Sequence, residues 1–499
     1  VTTTSARPAG VPAIEQLPQP PLRTSTDIQG NILAAFNKDF MDFRYLHFPD
    51  AARGRGWLSA ILNTVSTTSE TEDFNEQFSL ARRAFGRDPN LVTVRCGVSL
   101  TFDGLMAVAN KPDQVRTDLE NNNMQSFLAG AAARAADLGD TDASDPKQWL
   151  FGAGAGNQVV HAVLIVAADT DEMLQEKLKN LDAVENANQI VRVHVDEGRT
   201  LTGPLKGHEH FGYKDGISQP GVKDFHPESP DQPGVRDMHA GTELIEPGEF
   251  VFGQKSENGD RPAPQWMANG SFQVVRRLRQ DVAGWNAAVI DGATKFTGTM
   301  DPTRLGACLV GRFKDGTPLA PPNGTVTGVG SDRNDFDYSN DPAGEHTPWV
   351  AHIRRTHPRV FAGNGDGHPK SHRLMRRGIP YGVQFPGGAN DDGVDRGLMF
   401  VCYGTSLEEQ FEVVQRFWAN SDTFPPGKPN GSTPAPNGFD KVVGLAGKAE
   451  IGLADGTHGT VDMQRFVHTT GALYAFTPSI TTLRLLAGGQ DLPNKRVGS

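Results

Sequence analysis

Short apolar runs and apolar stripes at helical spacing succeed one another along this chain in an order that predicts a βαββαβ unit in the first half. Tyr45 to Phe48 reads as a strand. Ser69 with Glu72 has capping-box spacing, and Phe74, Phe78, Ala81 and Phe85 then share one helical face. Leu91 to Phe102 and Val159 to Ala168 read as strands. Asp169 with Glu172 repeats the capping spacing before the stripe Leu174, Leu178 and Leu181, and Ile190 to Val195 is a strand again. The second half repeats the theme. Phe272 to Leu278 and Gly397 to Tyr403 read as strands, and Ser406 with Glu409 caps a helix with Phe411, Val414 and Trp418 on one face. The expected fold class is therefore α+β, with two ferredoxin-like domains built on antiparallel sheets. The Pro- and Gly-rich stretch from Pro227 to Gly248 divides them. This gives a disordered Thr-, Pro- and Ala-rich head at 1–21, an N-terminal domain at 22–235 and a C-terminal domain at 236–499.

Composition agrees with two cores. At 499 residues the chain exceeds what one typical core accommodates. Its 37% hydrophobic and 21% charged residues are those of an ordinary globular protein. A net charge of −11 argues against a nucleic-acid or anionic-membrane surface, and no apolar run reaches membrane-spanning length. Cys96, Cys308 and Cys402 lie far apart in apolar stretches and read as buried thiols. The opening shows no charged-then-apolar leader and reads as the head of a mature chain. Asn-Gly-Ser/Thr sequons occur at Asn269, Asn323 and Asn430.

Candidate chemistry lies in three segments. Gly212-Tyr213-Lys214-Asp215-Gly216 places a carboxylate on a glycine-flanked turn, where the backbone can approach a flat ligand closely and adopt positive φ. Ala351-His352-Ile353-Arg354 offers an imidazole that can bind a metal. Arg376-Arg377-Gly378-Ile379-Pro380-Tyr381-Gly382 offers a permanent cation. A base that moves a proton, a guanidinium that stabilises developing negative charge and an imidazole that holds iron are what peroxide-bond heterolysis needs. Each residue alone also fits a plainer role, such as turn, structural histidine or charged strand end. Two other readings fail on spacing. His208 and His210 lack the i, i+4 separation of a zinc helix, and Gly152 to Gly156 precedes a strand instead of opening a helix.

In this order, the three segments resemble the dye-decolourising peroxidases, specifically the secreted fungal type. The likeness runs from Thr26-Asp27-Ile28-Gln29-Gly30-Asn31 to the helix of Trp418. It implies a haem b enzyme, with the haem bound mainly by the C-terminal domain. Such an enzyme reduces hydrogen peroxide and oxidises dyes, phenols and lignin-related aromatics through an oxidised haem. By the same resemblance Asp215 is the distal acid, Arg376 the distal arginine and His352 the axial iron ligand. Leu398 and Phe400 line the distal pocket, an apolar strand being the competing reading, and Arg354, at strand spacing from His352, pairs with a haem propionate or is solvated. Tyr381 and Trp418 are the surface electron-transfer positions, a buried core tryptophan being the alternative for Trp418. Some members oxidise Mn²⁺, for which Asp335, Asp337, Asp341 and Glu345 are the candidates here. A non-catalytic haem carrier on the same fold is the alternative function.

Overall fold

Two antiparallel sheets, each of four strands, meet edge to edge and close into one barrel in the computed structural model, which describes residues 21–86, 90–237, 239, 241–259, 261–321, 333–359, 369–388, 390–424, 437–494 and 496–497. Strands β1 (Phe40–His47), β2 (Val94–Leu100), β3 (Ala162–Ala168) and β4 (Val191–Arg199) form the first sheet, in the spatial order β4-β1-β3-β2. Strands β5 (Ser271–Gln280), β6 (Ile379–Tyr381), β7 (Gly397–Gly404) and β8 (Val467–Thr477) form the second, in the order β8-β5-β7-β6. Both orders are the ferredoxin-like 4-1-3-2. The seams are thin, with Tyr381 opposite Gly198 at one and Phe476 opposite Leu100 at the other. A side chain at Gly198 would collide with Ile379, so glycine lets the first seam close.

Strand alternation divides the apolar residues into layers. Phe43 and Tyr45 of β1, Val163 and Ile165 of β3, Val275 of β5, Met399 and Val401 of β7 and Leu473 of β8 pack in one buried cluster inside the barrel. On the outside of the first sheet, Leu46, Val98, Leu164 and Val166 meet Trp57 and Leu58 of α1 (Ala51–Ile61) and the Leu174, Leu178 and Leu181 stripe of α3 (Asp171–Ala187). Full burial of such side chains contributes about 1.5–3 kcal/mol each. The chain's last helix, Ile480–Ala487, adds Leu483 and Leu486 to this same layer. On the outside of the second sheet, Phe272, Val274, Cys402, Tyr474 and Phe476 are covered by Phe127, Trp266, Leu407 and Phe411, and the rest of that face forms the wall of a cavity.

The local signals were right in kind and shifted in detail. Helix α2 (Thr68–Phe85) starts two residues earlier than its predicted box, at a Thr67–Glu70 capping box, and Phe85 is exposed. Helix α3 is capped by Thr170, because Asp169 is committed to Lys38 Nζ and the Thr93 amide. Ser406 does cap its helix, accepting from the Glu409 amide at 3.0 Å. Strands β6 and β8 were not predicted. All three cysteines are buried and unpaired. Of the sequons, Asn323 and Asn430 lie outside the described residues, as does the head at 1–20. The Asn269 amide nitrogen donates to Asp27 at 2.9 Å. No helix among the described residues is long and apolar enough to cross a membrane.

Candidate active site

Alternate residues at one end of three strands face the cavity. Arg276, Leu278 and Gln280 come from β5, Leu398 and Phe400 from β7, and Val467 and Thr469 from β8. The cavity holds about 260 Å³. Its other walls are the short helix His352–Thr356, residues Phe411 and Val414 of the helix Leu407–Ala419, and the loop that carries Asp215.

That loop is a small hairpin. His208 pairs with Lys214, the Asp215 amide donates to the Gly207 carbonyl at 3.0 Å, and Gly212 and Gly216 take φ of +90° and +78°. Both glycines adopt the left-handed backbone that other residues resist. Asp215 Oδ1 accepts from the Gly216 amide at 2.6 Å and from Arg376 Nη1 at 3.2 Å. The two side chains are 39% and 30% exposed, so the pair is open to small solutes. Arg376 is held through its backbone. Gln219 Nε2 donates to the Arg376 carbonyl at 3.0 Å, and the Arg376 amide donates to Gln219 Oε1 at 3.2 Å. The adjacent Arg377 points elsewhere, its guanidinium donating to the carbonyls of Asn31, Ile32 and Leu33 at the end of a helical turn.

Across the cavity, His352 Nδ1 lies 2.7 Å from Asp440 Oδ2, which leaves Nε2 as the ring's ligating atom. Asp440 is fully buried, and its Oδ1 accepts from the amides of Val442 and Val443. Burial alone would raise the Asp440 pKa, but the charge and hydrogen bond of His352 and the Val443 amide hold it below the usual carboxylate range. Burial likewise pushes the His352 pKa down, and Asp440 more than reverses this. Sequence reasoning missed Asp440 and Gln219. Asp440 stands 88 positions from its partner in no motif, and only the fold brings it there.

Two predicted placements are corrected. Arg354 does not reach the cavity. His352 begins a helix instead of a strand, and a helix turns i+2 to the far side. There Arg354 is buried against Tyr338 and Trp349, with Nη1 on Asp341 at 3.0 Å and on the Thr347 carbonyl at 2.7 Å. Arg354→Ala should therefore cost about 3–5 kcal/mol in denaturant unfolding, because it strands the buried Asp341 carboxylate. Ligand content per folded molecule should not change; loss of ligand at unchanged stability would return Arg354 to the site. The same ion pair removes Asp341 from any Mn²⁺ cluster. Among the described residues, no three His, Cys, Asp or Glu side chains converge as metal ligands.

The aromatic pair is also not at the surface. Tyr381 is 4% exposed and lies inside the barrel, its ring under Arg277 and its hydroxyl between Arg277 Nη1 at 3.0 Å and Asp395 Oδ1 at 3.3 Å. Trp418 is 5% exposed, stacked on Phe424 and edge-on to His372, which lines the cavity. The helix Leu407–Ala419 is wound in π register, ending with the Asn420 amide on the Gln415 carbonyl. Such winding turns less per residue than an α-helix, so Phe411 and Trp418 no longer share a face.

The donor set selects the ligand. A single imidazole backed by a carboxylate cannot hold a bare ion, but it can complete the coordination of iron already held in a macrocycle. At one end of the cavity, His357 Nε2 accepts from Arg373 Nη1 at 2.8 Å, and burial with the nearby arginines keeps the ring neutral, so the proton sits on Nδ1. That buried Nδ1 and the buried Nε of Arg359 have no partner among the described residues. Two unsatisfied donors beside apolar walls suit a flat, apolar ligand with carboxylates, and haem has that chemistry.

The comparisons with known proteins agree. Residues 27–201 match the model described as the DyP dimeric alpha+beta barrel domain, and residues 254–424 match the Dyp-type peroxidase C-terminal model. The chain is 30% identical to a dye-decolorizing peroxidase of Mycetinis scorodonius, over 92% of this chain and 86% of that one. It is 31% identical to a multifunctional dye peroxidase of Amycolatopsis sp., over 92% and 95%. A solved structure of an ancestral D-type dye decolorizing peroxidase superposes with a TM-score of 0.75 at 29% identity, covering 93% of this chain and 98% of that one.

Proposed function

The chain belongs to the dye-decolourising peroxidases and is a haem enzyme that couples hydrogen peroxide to the oxidation of reducing substrates, and we propose how its own residues carry this out. The observation that carries the reading is the Asp215–Arg376 pair, at 3.2 Å, sharing one cavity with the His352–Asp440 pair. A haem carrier has use for the second pair alone.

Haem, when bound, supplies a redox-active iron that takes oxidising equivalents from peroxide and electrons from reductants. His352 would hold it through Nε2, with Asp440 raising the basicity of the ring. Leu278, Leu398, Phe400 and Phe411 would pack against the porphyrin, and Arg359 and His357 would face its carboxylates. All of these residues belong to the second half of the chain, which supports haem binding mainly by that half.

Asp215 accepts the peroxide proton and delivers it to the departing oxygen. Among the described residues the Gly216 amide and Arg376 Nη1 both donate to Oδ1, so Oδ2 is the oxygen for this transfer. The Arg376 guanidinium stabilises negative charge as the O–O bond stretches.

Electrons from bulky dyes enter through Trp418, one ring behind the cavity wall, and not through Tyr381. Trp418→Phe should lower turnover of a large dye several-fold and leave small phenols unchanged in steady-state assays. Equal loss on both substrates would end this assignment. Tyr381→Phe should leave dye turnover alone and cost about 1–3 kcal/mol of stability, since it removes the hydroxyl between Arg277 and Asp395. We also propose that the protein works outside the cell, a reading supported by its resemblance to the secreted fungal members.

The test of the whole reading is an absorption spectrum of the purified protein before and after one equivalent of hydrogen peroxide. A Soret band that changes with peroxide and recovers with dye is expected. A Soret band indifferent to peroxide would leave only haem carriage.

A further inference from the structure

Glu209 lines the same cavity, and neither the metal-holding nor the proton-moving chemistry described above uses it. It stands at the tip of the hairpin that ends in Asp215. Its amide donates to the Tyr213 carbonyl at 3.0 Å, and its carbonyl accepts from the Gly212 amide at 2.9 Å. Its carboxylate then closes the turn. Oε1 accepts from the Tyr213 amide at 2.9 Å, and Oε2 accepts from the Phe211 amide at 2.8 Å and from Gln280 Nε2 at 2.5 Å. Gln280 ends β5 on the cavity wall, so one carboxylate ties the hairpin tip to the sheet.

We propose that Glu209 is the positioning residue for Asp215, clamping the hairpin so that the carboxylate of Asp215 stays against Arg376. The proposal rests on the reading of Asp215 as the proton-transfer group. Three donors converge on two oxygens, an arrangement that only a bidentate acceptor satisfies. A glutamine of the same shape would turn an N–H toward a backbone N–H and open the clamp. The hairpin's other described ties are backbone bonds within 207–215, His210 Nε2 on the Tyr381 carbonyl of β6 at 2.8 Å and the Lys214 amide on the Lys314 carbonyl at 3.1 Å, and none of these reaches β5. Small displacements of a reacting group are costly, because rate depends steeply on its placement. Burial, ahead of the other influences, raises the Glu209 pKa, and the donated hydrogen bonds oppose that rise.

The experiment is a double-mutant cycle on the haem-loaded enzyme, reading the rate of reaction with hydrogen peroxide for wild type, Glu209→Gln, Asp215→Asn and the double variant. Hydrogen exchange on the haem-free chain is run alongside. Glu209→Gln should slow the reaction about ten-fold in the wild-type background and have no further effect once Asp215 is Asn. The Phe211 and Tyr213 amides should exchange faster in the variant. Equal slowing in both backgrounds, or none in the wild type, would overturn the proposal. If Asp215→Asn itself changes nothing, the reading of Asp215 falls and takes this one with it. Gln280→Leu, which breaks only the tie to β5, repeats the test should Glu209→Gln not fold. It should show a smaller slowing with the same dependence on Asp215, and a slowing that ignores Asp215 would count against the clamp.

Discussion

Asp215→Asn is expected to slow the reaction of the haem-loaded enzyme with hydrogen peroxide by about 10²–10⁴-fold, the usual contribution of a positioned general base. Asparagine keeps the shape of the side chain, and its carbonyl can still accept from the Gly216 amide and Arg376. What it cannot do is take a proton. Haem content should therefore be that of the wild type, and the loss should appear only in the rate at which the Soret band responds to peroxide in stopped flow. Arg376→Leu should cost about 10²–10³-fold in the same assay, as does removal of one preorganised donor to a developing charge. The local backbone should survive this second change, because Gln219 holds the main chain of Arg376 and not its guanidinium. Arg377→Leu provides the contrast. Its donors go to the carbonyls of Asn31, Ile32 and Leu33, so it should lose stability and keep its rate. Unchanged peroxide kinetics in both Asp215→Asn and Arg376→Leu would remove the pair from the mechanism.

How much of this was legible in the chain depended on how local each determinant is. The strands read from apolar runs are present, because a half-buried strand writes its own periodicity. Strand β8, the longest, escaped. Its Thr469-Thr470-Gly471-Ala472 stretch is small and polar, and a bulge between Thr469 and Gly471 breaks the alternation. Barrel closure was likewise invisible, since each seam rests on a single residue pair. Asp215, His352, Arg376, Leu398 and Phe400 all came from motifs, and the fold brings all five to one cavity. Arg354 failed because its secondary structure was misjudged, and a helix and a strand send the second residue onward to opposite sides. For Trp418 the stripe with Phe411 and Val414 was the better guide, because all three side chains are buried even though π winding turns them apart. Asp440 and Gln219 have no sequence signal, for they are defined by their partners.

The axial side of the cavity gives the other large effect. His352→Ala should abolish haem retention, because it removes the one cavity imidazole that the buried Asp440 carboxylate backs among the described residues. Asp440→Asn separates ligation from tuning. The buried carboxylate does two things, accepting from His352 Nδ1 through Oδ2 and from the Val442 and Val443 amides through Oδ1. An asparagine can serve only one side as an acceptor and must turn its NH₂ toward a donor on the other. If its oxygen stays with the two amides, the His352 proton loses its acceptor and the ring becomes a weaker ligand. Haem affinity should fall about 10–100-fold, the usual effect of losing a carboxylate behind a ligating histidine. The reduction potential of the bound haem should rise, since a less basic imidazole stabilises the ferric state less. Haem titration into the apo-protein and a redox titration of the loaded variant measure the two effects separately. A variant with wild-type affinity and potential would show that Asp440 only packs against the histidine and does not tune it.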